Sequence, residues 1–482
     1  MTESSHSRYQ SPLSSRYASP AMLHLWSEQY KIGLWRRIWL ALMASERELG
    51  YPIPDTALTE LAAHLDDCDL AQAAALERRF RHDVMAHVHA LGEQAPAARP
   101  FIHLGATSAF VTDNADLLVI RDGLKLLLGR LVALLKSLAA FASRHADLPC
   151  LAYTHFQPAQ LTTVGKRATL WAQDFALDVE EIVHRLSSLR ARGCKGTTGT
   201  QASFLELFHG DHAKVRALDA LVTERLGFTA SFPVTGQTYS RKADSAVLDC
   251  LSGIAQSASK LAADLRLLQH EGELLEPFES AQIGSSAMAY KRNPMRAERI
   301  TALGRFVISL AANTAHTAAN QWLERTLDDS ANRRLTLPEA FLATDAILIL
   351  ATNIVAGLEV REAVIGRHVT EQMPFMATER WMMLGVAAGG DRQALHEVIR
   401  QASHAVAKQV SEGGANDLLE RLARTPEFAA IDPGRLRAEL TASRYVGRAP
   451  EQTREFVAEF LAPLLERVAG LASEAPLAEV RV

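Results

Sequence analysis

Apolar residues recur at helical spacing along most of the chain. Over residues 251–268 they occupy positions i, i+3, i+4 and i+7, which predicts one apolar face of a helix. Polar Lys260, Asp264 and Arg266 fall on the opposite side. The apolar positions of this helix are Leu251, Ile254, Ala255, Ala258, Leu261, Ala262, Leu265 and Leu268.

Three more long helices are predicted from the same kind of pattern. Thr112 or Asp113 could cap a helix that runs to about Arg144. Its apolar residues occupy most of the circumference of the helix, which predicts burial between other helices. The other two are predicted over residues 161–190 and 341–358. Helices of about 30 residues are about 45 Å long, and several of them with short links indicate an elongated bundle shared between subunits.

Proline and glycine indicate breaks in this helical pattern near residue 110 and within residues 366–374. We therefore expect three domains: an N-terminal helical domain over 1–110, a central long-helix domain over 111–364 and a C-terminal helical domain over 365–482. The polar segment from residue 1 to about residue 10 has no apolar period, so we expect it to lack ordered structure.

Composition and charge narrow the class of protein. Hydrophobic residues make up 48% and charged residues 22%, as in an ordinary globular protein. A net charge of −4 supplies no overall basic field for nucleic acid or an anionic membrane. Charged residues such as Arg130 and Lys136 interrupt the apolar runs, which argues against a membrane span. The four cysteines are widely spaced and no signal peptide is apparent, so we expect a reducing, cytoplasmic location.

The run GSSAMAYKRNP at residues 284–294, called the signature loop below, is the strongest chemical pattern. Its small residues let the backbone approach a ligand closely. Ser285 supplies a hydroxyl, and Lys291 and Asn293 could hold a carboxylate. The alternative is a small-residue turn before a helix, with solvated charges.

The run THFQPAQ at residues 154–160 contains a second candidate, His155. A lone histidine before a helix is more often a capping or surface residue than a catalyst. Histidine is nevertheless suited to protonate a leaving nitrogen, because its pKa is near neutrality.

Two further runs have competing interpretations. RHDVMAHVH at residues 81–89 has three histidines, but neither H-E-x-x-H spacing nor a cysteine, so zinc is disfavoured and a polar helix end is the alternative. GCKGTTGT at residues 193–200 matches no nucleotide-binding pattern. It is either a plain loop or one that presents N–H groups to an anion.

Arginines and hydroxyls concentrate in ERTLDDSANRR at residues 324–334 and in SPLSSRY at residues 11–17. Each is either a solvated charged run or a phosphate site, because guanidinium offers paired donors to phosphate oxygens.

Taken together, these runs resemble a known family. Residues 284–294 and 154–160 are similar to the signature loop and the T-H-x-Q-x-A segment of the fumarase/aspartase superfamily, except that Ala289 stands where that superfamily has proline. The segments containing Arg81, Lys195 and Arg325 resemble the adenylosuccinate lyase family, within its animal-like branch. The resemblance spans nearly the whole chain.

The resemblance implies an all-α, three-domain fold of the fumarase/aspartase type. Its long central helices would form a twenty-helix core in a homotetramer, with each active site drawing on three subunits. It implies a C–N lyase that acts on purine nucleotides without a metal or organic cofactor. Fumarate would be eliminated from adenylosuccinate, giving AMP, and from succinylaminoimidazole carboxamide ribotide, giving AICAR.

The resemblance also assigns roles. Ser285 would be the base, His155 the acid, and Lys291 and Asn293 would hold the carboxylates. The substrate-binding positions that it implies are Arg16, Tyr17, Arg81, His82, Asp83, Thr107, Ser108, Gln237, Asn293, Arg299, Arg325, Ser330 and Arg334. Of these, Arg16, Arg325, Ser330 and Arg334 would contact phosphate.

Two alternatives stay open at this point. One is a non-catalytic relative on the same scaffold, against which the intact Ser285, His155 and Lys291 count. The other is a different fumarate-releasing lyase, such as argininosuccinate lyase. Because Ala289 loosens the loop relative to proline, we expect a weaker enzyme rather than an inactive one.

Overall fold

Helices carry most of residues 7–473, the part of the chain that the computed structural model describes. The N-terminal helices are α1 (Pro20–Leu25), α2 (Glu28–Glu48), α3 (Asp55–Ala63), α4 (Leu70–Phe80) and α5 (Asp83–Gln94). The central helices are α6 (Ser108–Arg144), α7 (Val164–Ser188), α8 (Ala202–Leu207), α9 (His212–Arg225), α10 (Lys242–His270), α11 (Met295–Ala319) and α12 (Asp328–Ala356). The C-terminal helices are α13 (Glu362–Met376), α14 (Thr378–Ala387), α15 (Arg392–Ser411), α16 (Leu418–Ala423), α17 (Pro433–Ala438), α18 (Ala449–Glu455) and α19 (Ala462–Val468).

Two small antiparallel ladders and four short helical turns complete the described chain. Strands β1 (Pro149–Thr154) and β2 (Gln157–Thr163) form a hairpin, and β3 (Leu274–Leu275) pairs with β4 (Glu359–Val360). The turns are π-helical at Leu13–Tyr17 and Phe456–Leu461 and 3₁₀ at Pro426–Phe428 and Ala442–Arg444. The predicted all-α class is confirmed. Residues 1–6 of the segment predicted to lack order lie outside the described residues.

The predicted start of the first long helix is wrong. The helix α6 begins at Ser108 with Thr107 at its N-cap, not at Thr112 or Asp113. The Asp113 carboxylate is buried and pairs with Arg241 at 3.1 Å, so it is not available to cap a helix. The predicted helix over residues 251–268 lies inside α10 and is confirmed.

Two other predicted boundaries also need correction. The helix expected over residues 161–190 begins at Val164, because Leu161 belongs to β2 and the Thr163 hydroxyl accepts a hydrogen bond from the Lys166 N–H. The helix expected over residues 341–358 begins thirteen residues earlier, at Asp328, and runs through Pro338. The break expected within residues 366–374 is wrong, since these residues lie inside α13.

Five long helices form the central bundle. The helix α6 packs against α7 and α12, and α11 packs between α10 and α12. At 1.5 Å per residue, α6 is about 55 Å long and α11 is about 37 Å long. The ion pairs Arg333–Asp116 and Arg130–Asp345 both join α12 to α6, with residue numbers rising together, so these two helices run parallel.

The helices α6 and α12 are long and apolar enough to cross a membrane by length and composition. In their most apolar windows, 56% and 83% of the residues are buried inside the chain. The core helices of a bundle pass the same test, so the expected absence of a membrane partner stays a prediction.

The apolar core has two parts. The larger part fills the central bundle and includes the last described helices, through residues such as Leu461 and Val468. The smaller part lies within residues 377–436 around the buried Trp381. The expected domain limits at residues 110 and 364 fall within α6 and α13, and the division into three domains stays a prediction.

A buried ionic network joins the starts of α6, α10 and α12. Arg241 pairs with Asp113 at 3.1 Å and with Asp329 at 2.7 Å. Arg333 pairs with Asp244 at 2.7 Å, and its guanidinium donates to the Tyr239 hydroxyl at 2.6 Å. Such groups are stable in a core only when each charge is met by a partner. The network therefore fixes the relative positions of three helix ends.

Glu46 on α2 is a buried carboxyl of a different kind. It is fully buried, and neither of its carboxylate oxygens has a hydrogen-bond partner among the described residues. Burial raises the pKa of the Glu46 carboxyl from 4.5 to about 9. Glu46 is therefore protonated in the folded chain at neutral pH.

We predict that Glu46 makes the folded chain less stable as pH rises. Because its folded pKa lies above its unfolded value, the contribution of Glu46 to stability is fully present below about pH 4.5 and is lost as pH rises to about 9, by up to about 1.4 kcal/mol per pH unit. Urea unfolding across this range should show a shallower pH slope for Glu46→Gln. The exposed Glu28, on the same helix, is the matched control as Glu28→Gln. An unchanged slope in Glu46→Gln would contradict the prediction.

Candidate active site

The signature loop lies between β3 and α11, and a local turn holds its serine. The Ser285 hydroxyl oxygen accepts hydrogen bonds from the backbone N–H groups of Ala287 at 3.3 Å and Met288 at 3.2 Å. Donors aimed at an oxygen favour its negatively charged form. This turn therefore supplies the backbone N–H groups that a serine needs to act as a base. Lys291 is exposed nearby, with no ion-pair partner among the described residues.

Asn293 joins the end of the signature loop to its beginning. Its side-chain amide donates to the Gly284 carbonyl at 2.8 Å. A side chain at Gly284 would clash, because a Cβ there would lie 2.0 Å from the Lys291 carbonyl oxygen. One N–H of the Asn293 amide is thus used within the chain, and the rest of the amide remains for the carboxylate contact expected from the sequence.

His155 lies at the tip of the β1–β2 hairpin. Thr154 pairs with Gln157, so His155 and Phe156 form a two-residue turn, with φ of 53° and 58°. Turns of this kind need φ > 0 at both central residues and favour Asn and Gly. A side chain in this region costs about 1–2 kcal/mol, so the turn holds two residues in a strained conformation. The turn places the His155 side chain at the exposed tip of the hairpin.

His155 and Ser285 are not joined within one chain. The hairpin follows α6. Arg292 of the signature loop donates a hydrogen bond to Glu359 of β4, just after α12. Because α6 and α12 run parallel, both features lie at the same end of the bundle. No hydrogen bond, ion pair or ring contact between the two residues occurs within residues 7–473.

A polar cluster at the other end of the bundle brings four predicted residues together. His82 caps α5, and its Nε2 lies 3.4 Å from the Ser108 hydroxyl. An Asp83 carboxylate oxygen lies 3.7 Å from the His82 Nδ1, and the other lies 3.5 Å from an Arg334 guanidinium nitrogen. Arg81 precedes them with φ of 57°, at the C-cap of α4. Sequence reasoning thus identified residues that start three different helices.

The residues at the start of α12 adjoin this cluster. Arg325 pairs with Asp329 at 2.7 Å, and Ser330 lies in the first turn. The Gln237 N–H donates to the Glu324 carbonyl at 2.9 Å, and its side-chain amide donates to the Thr197 carbonyl at 3.1 Å. Thr107 is the N-cap of α6. A helix N-terminus with arginines beside it suits an anion.

Tyr17 and Arg299 meet elsewhere, near the signature-loop end of α11. The Arg299 guanidinium lies 5.0 Å from the centre of the Tyr17 ring. The segment that carries Tyr17 and the exposed Arg16 is anchored by the buried Asp345, whose carboxylate accepts from the Ser19 N–H at 2.7 Å. Sequence reasoning missed Asp345, because its partner is 326 residues away.

The predicted phosphate contacts are therefore not assembled in one chain. Asp345 lies about 22 Å further along α12 than Ser330. Arg16 belongs to the segment that Asp345 anchors, whereas Arg325, Ser330 and Arg334 lie at the start of α12. The resemblance implies sites shared between subunits, so the assignment of these four residues as phosphate contacts stays a prediction.

The loop at residues 193–200 is held by Arg192, which sequence reasoning also missed. Arg192 is fully buried, and its guanidinium donates to the carbonyls of Gly196 and Gln237, each at 2.7 Å. Lys195 pairs with Asp219 at 2.7 Å, so its charge is already matched. The available signal was an arginine directly before a glycine-rich run, whose backbone carbonyls can accept hydrogen bonds from a guanidinium.

The three histidines of residues 81–89 point to different partners. His82 contacts Ser108, His87 packs edge-on against Trp35, and His89 lies against Phe80. Across residues 7–473, no group of three or more His, Cys, Asp or Glu side chains is arranged to hold a metal ion. The expectation of no metal or organic cofactor stays a prediction.

Solved proteins share the fold of this chain. The chain superposes on the 3-carboxy-cis,cis-muconate lactonizing enzyme from Pseudomonas putida with a TM-score of 0.80, at 22% identity, covering 96% of this chain and 100% of the other. It superposes on the fumarate lyase from Mesorhizobium sp. BNC1 with a TM-score of 0.77, at 24% identity, covering 92% and 98%. At these identities the likeness concerns the fold alone. The fold is that of the fumarase/aspartase type, and the signature loop agrees with that class.

Sequence comparison is more specific. Residues 58–309 match the family described as Lyase, and residues 374–456 match Adenylosuccinate lyase C-terminus. The chain is 51% identical over 453 residues to the adenylosuccinate lyase of Schizosaccharomyces pombe, covering 93% of this chain and 94% of that protein. It is 52% identical over 456 residues to that of Saccharomyces cerevisiae, covering 94% of each. The chain belongs to the adenylosuccinate lyase family.

We predict that Ala289→Pro keeps or raises activity and makes the signature loop more ordered. The Lys291 N–H donates to the Met288 carbonyl at 3.0 Å, which makes Ala289 the second residue of a turn, where proline is favoured. The Ala289 N–H donates no hydrogen bond among the described residues, so none would be lost. Proline should gain about 0.4–1 kcal/mol by limiting other conformations.

Steady-state kinetics and protease sensitivity of the loop test this prediction. The expected result is an equal or higher kcat with slower cleavage within residues 284–294. A fall in kcat of about tenfold or more with an intact fold would show instead that the loop depends on alanine.

Proposed function

We propose that this chain eliminates fumarate from adenylosuccinate, giving AMP, and from succinylaminoimidazole carboxamide ribotide, giving AICAR. The observation that carries the proposal is the Ser285 hydroxyl with two backbone donors, in a chain about half identical to proteins named adenylosuccinate lyase. The role would lie in purine and AMP biosynthesis. Argininosuccinate lyase activity is the alternative within the same superfamily.

The proposed reaction is a β-elimination. Ser285 as an alkoxide removes a proton from the carbon next to a succinyl carboxylate, and the electron pair moves into that carboxylate. Lys291 and Asn293 hold the carboxylate as its negative charge grows, which is where fixed donors lower the barrier most. The C–N bond then breaks, and His155 gives its proton to the departing nitrogen.

The two backbone donors make this role for serine reasonable. A free serine hydroxyl is a poor base at neutral pH. The N–H groups of Ala287 and Met288 stabilise the alkoxide, and the exposed Lys291 ammonium adds a positive charge to the same loop. Deprotonation of Ser285 thus depends on the turn that the loop already forms.

The remaining predicted residues would bind the nucleotide. Arg325, Ser330 and Arg334 lie at the start of α12, where paired guanidinium donors and a helix N-terminus suit a phosphate. Arg16 would add a further phosphate contact from a separate segment. The other proposed substrate-binding residues are Tyr17, Arg81, His82, Asp83, Thr107, Ser108, Gln237, Asn293 and Arg299.

We further propose a homotetramer with shared active sites. The separation of the signature loop from the start of α12 means that one chain cannot close this site alone. Apolar side chains along the central helices are also exposed, as expected where copies pack together. They include Leu170, Leu177, Leu267, Ile308 and Leu335, which are 38% to 64% exposed. The four free cysteines agree with a cytoplasmic location.

An ultraviolet assay tests the reaction and its two main residues. We expect purified protein to consume adenylosuccinate and to leave argininosuccinate unchanged. His155→Ala and Ser285→Ala should each lower kcat by about 10²–10⁴, the usual contribution of a positioned acid or base, while substrate still binds. Turnover of argininosuccinate alone would favour the alternative function. Near-normal kcat in either variant would remove that residue from its role.

Mixing the two inactive variants tests the shared site. Under conditions that exchange subunits, His155→Ala chains keep Ser285 and Ser285→Ala chains keep His155. A mixed assembly can therefore rebuild a complete site wherever the two residues come from different chains. We expect activity to return on mixing and not in either variant alone. No recovery despite proven exchange would place both residues in one chain.

A further inference from the structure

The loop that carries Ser285 has two parts. Residues 285–291 are its tip, and the segments on either side of the tip, which include Glu276 and Arg292, are the base of the loop. Among residues 7–473, every hydrogen bond of residues 285–291 stays inside that segment, including those of Ser285 and the one from the Lys291 N–H to the Met288 carbonyl. In contrast, residues on both sides of the tip bond to other helices and strands. The position of the reacting groups therefore depends on how firmly the base is held.

One side chain connects the two ends of this base. The Gln269 amide oxygen, in the last turn of α10, accepts a hydrogen bond from the Glu276 N–H at 3.0 Å. Its amide nitrogen donates to the Arg292 carbonyl at 3.0 Å. A single planar amide thus joins Glu276, eight residues before the signature loop, to Arg292, which directly follows the tip.

Both residues held by Gln269 carry further contacts that shape the loop. The Glu276 carboxylate accepts from the N–H groups of Arg296 and Ala297, and so caps the start of α11. The Arg292 guanidinium pairs with Glu359 at 2.7 Å and lies over the Phe278 ring at 4.8 Å. The Arg292 hydrogen bond lowers the pKa of the Glu359 carboxyl, which keeps this pair charged.

We propose that Gln269 is a positioning residue for the elimination, acting through Glu276 and Arg292. Gln269 holds Glu276 and Arg292 at a fixed separation. The tip can then move over substrate while the two flanking segments stay in place. Gln269 itself does not touch the reacting groups. The kinetic consequence rests on the proposed function, whereas the effect on loop order does not.

The test compares Gln269→Ala and Gln269→Glu with wild type. Gln269→Ala removes both hydrogen bonds, and Gln269→Glu keeps the acceptor for the Glu276 N–H but has no donor for the Arg292 carbonyl. We expect each variant to lower kcat by about tenfold, with a change in KM of less than about twofold. Hydrogen exchange should become faster in peptides that cover residues 276–294, with an unchanged melting temperature.

Gln256→Ala is the matched control, since Gln256 lies on the same helix and, in the described part of the chain, its amide bonds only to the Ser252 hydroxyl, at 3.2 Å. It should leave kcat and loop exchange at wild-type values. Combining Gln269→Ala with Glu359→Gln should give a smaller loss than the product of the single losses, because both act through Arg292.

Wild-type kcat and loop exchange in both Gln269 variants would overturn the proposal. A fall in kcat with a lower melting temperature and unchanged loop exchange would also overturn it, because Gln269 would then be a general stability residue. If the wild-type protein turned over no adenylosuccinate, the proposed function would fail, but loop exchange would still test the connection between the two ends of the base.

Discussion

The length of the central helices is the constraint on which the rest of this structure depends. The helix α11 spans about 37 Å, with the signature loop at its start and the residues that lead into α12 at its end. A helix of this length does not fold back on itself, so the chemistry of one end cannot meet the binding groups of the other within a chain. In the proposed homotetramer, closure of the proposed site would therefore depend on how the copies pack.

Each end of the bundle is organised by a different kind of interaction. At the start of α6 and α12, buried ion pairs hold the helices together. This end is therefore fixed by contacts between residues that are far apart in sequence. At the signature loop, the contacts of Ser285 lie within three residues of it and form a small unit of their own. The hydrogen bonds of Ser285 are thus local, whereas the loop that carries them is anchored through contacts with Gln269 and Glu359.

Much of this could be predicted from sequence, for identifiable reasons. Helical spacing indicated the central helices, and the residues of the signature loop indicated the chemistry before any contact was known. The start of α12 was missed because its acidic and basic residues look like a solvated run until their buried partners are known. Arg192, Gln269 and Asp345 were missed because each acts through hydrogen bonds to backbone groups that only the folded chain brings to it. The strained turn at His155 was missed because neither His nor Phe is a residue that such turns favour.

The buried network around Arg241 and Arg333 has a consequence for how this chain can diverge. Removing one member leaves its partners charged and unpaired in the core, at a cost of about 3–5 kcal/mol, which is a large share of the stability of a typical domain. Replacing all the members together by apolar residues carries no such penalty. The intermediate sequences are thus less stable than either endpoint, and lineages can exchange this network only through changes that arrive in concert or after stability has been gained elsewhere.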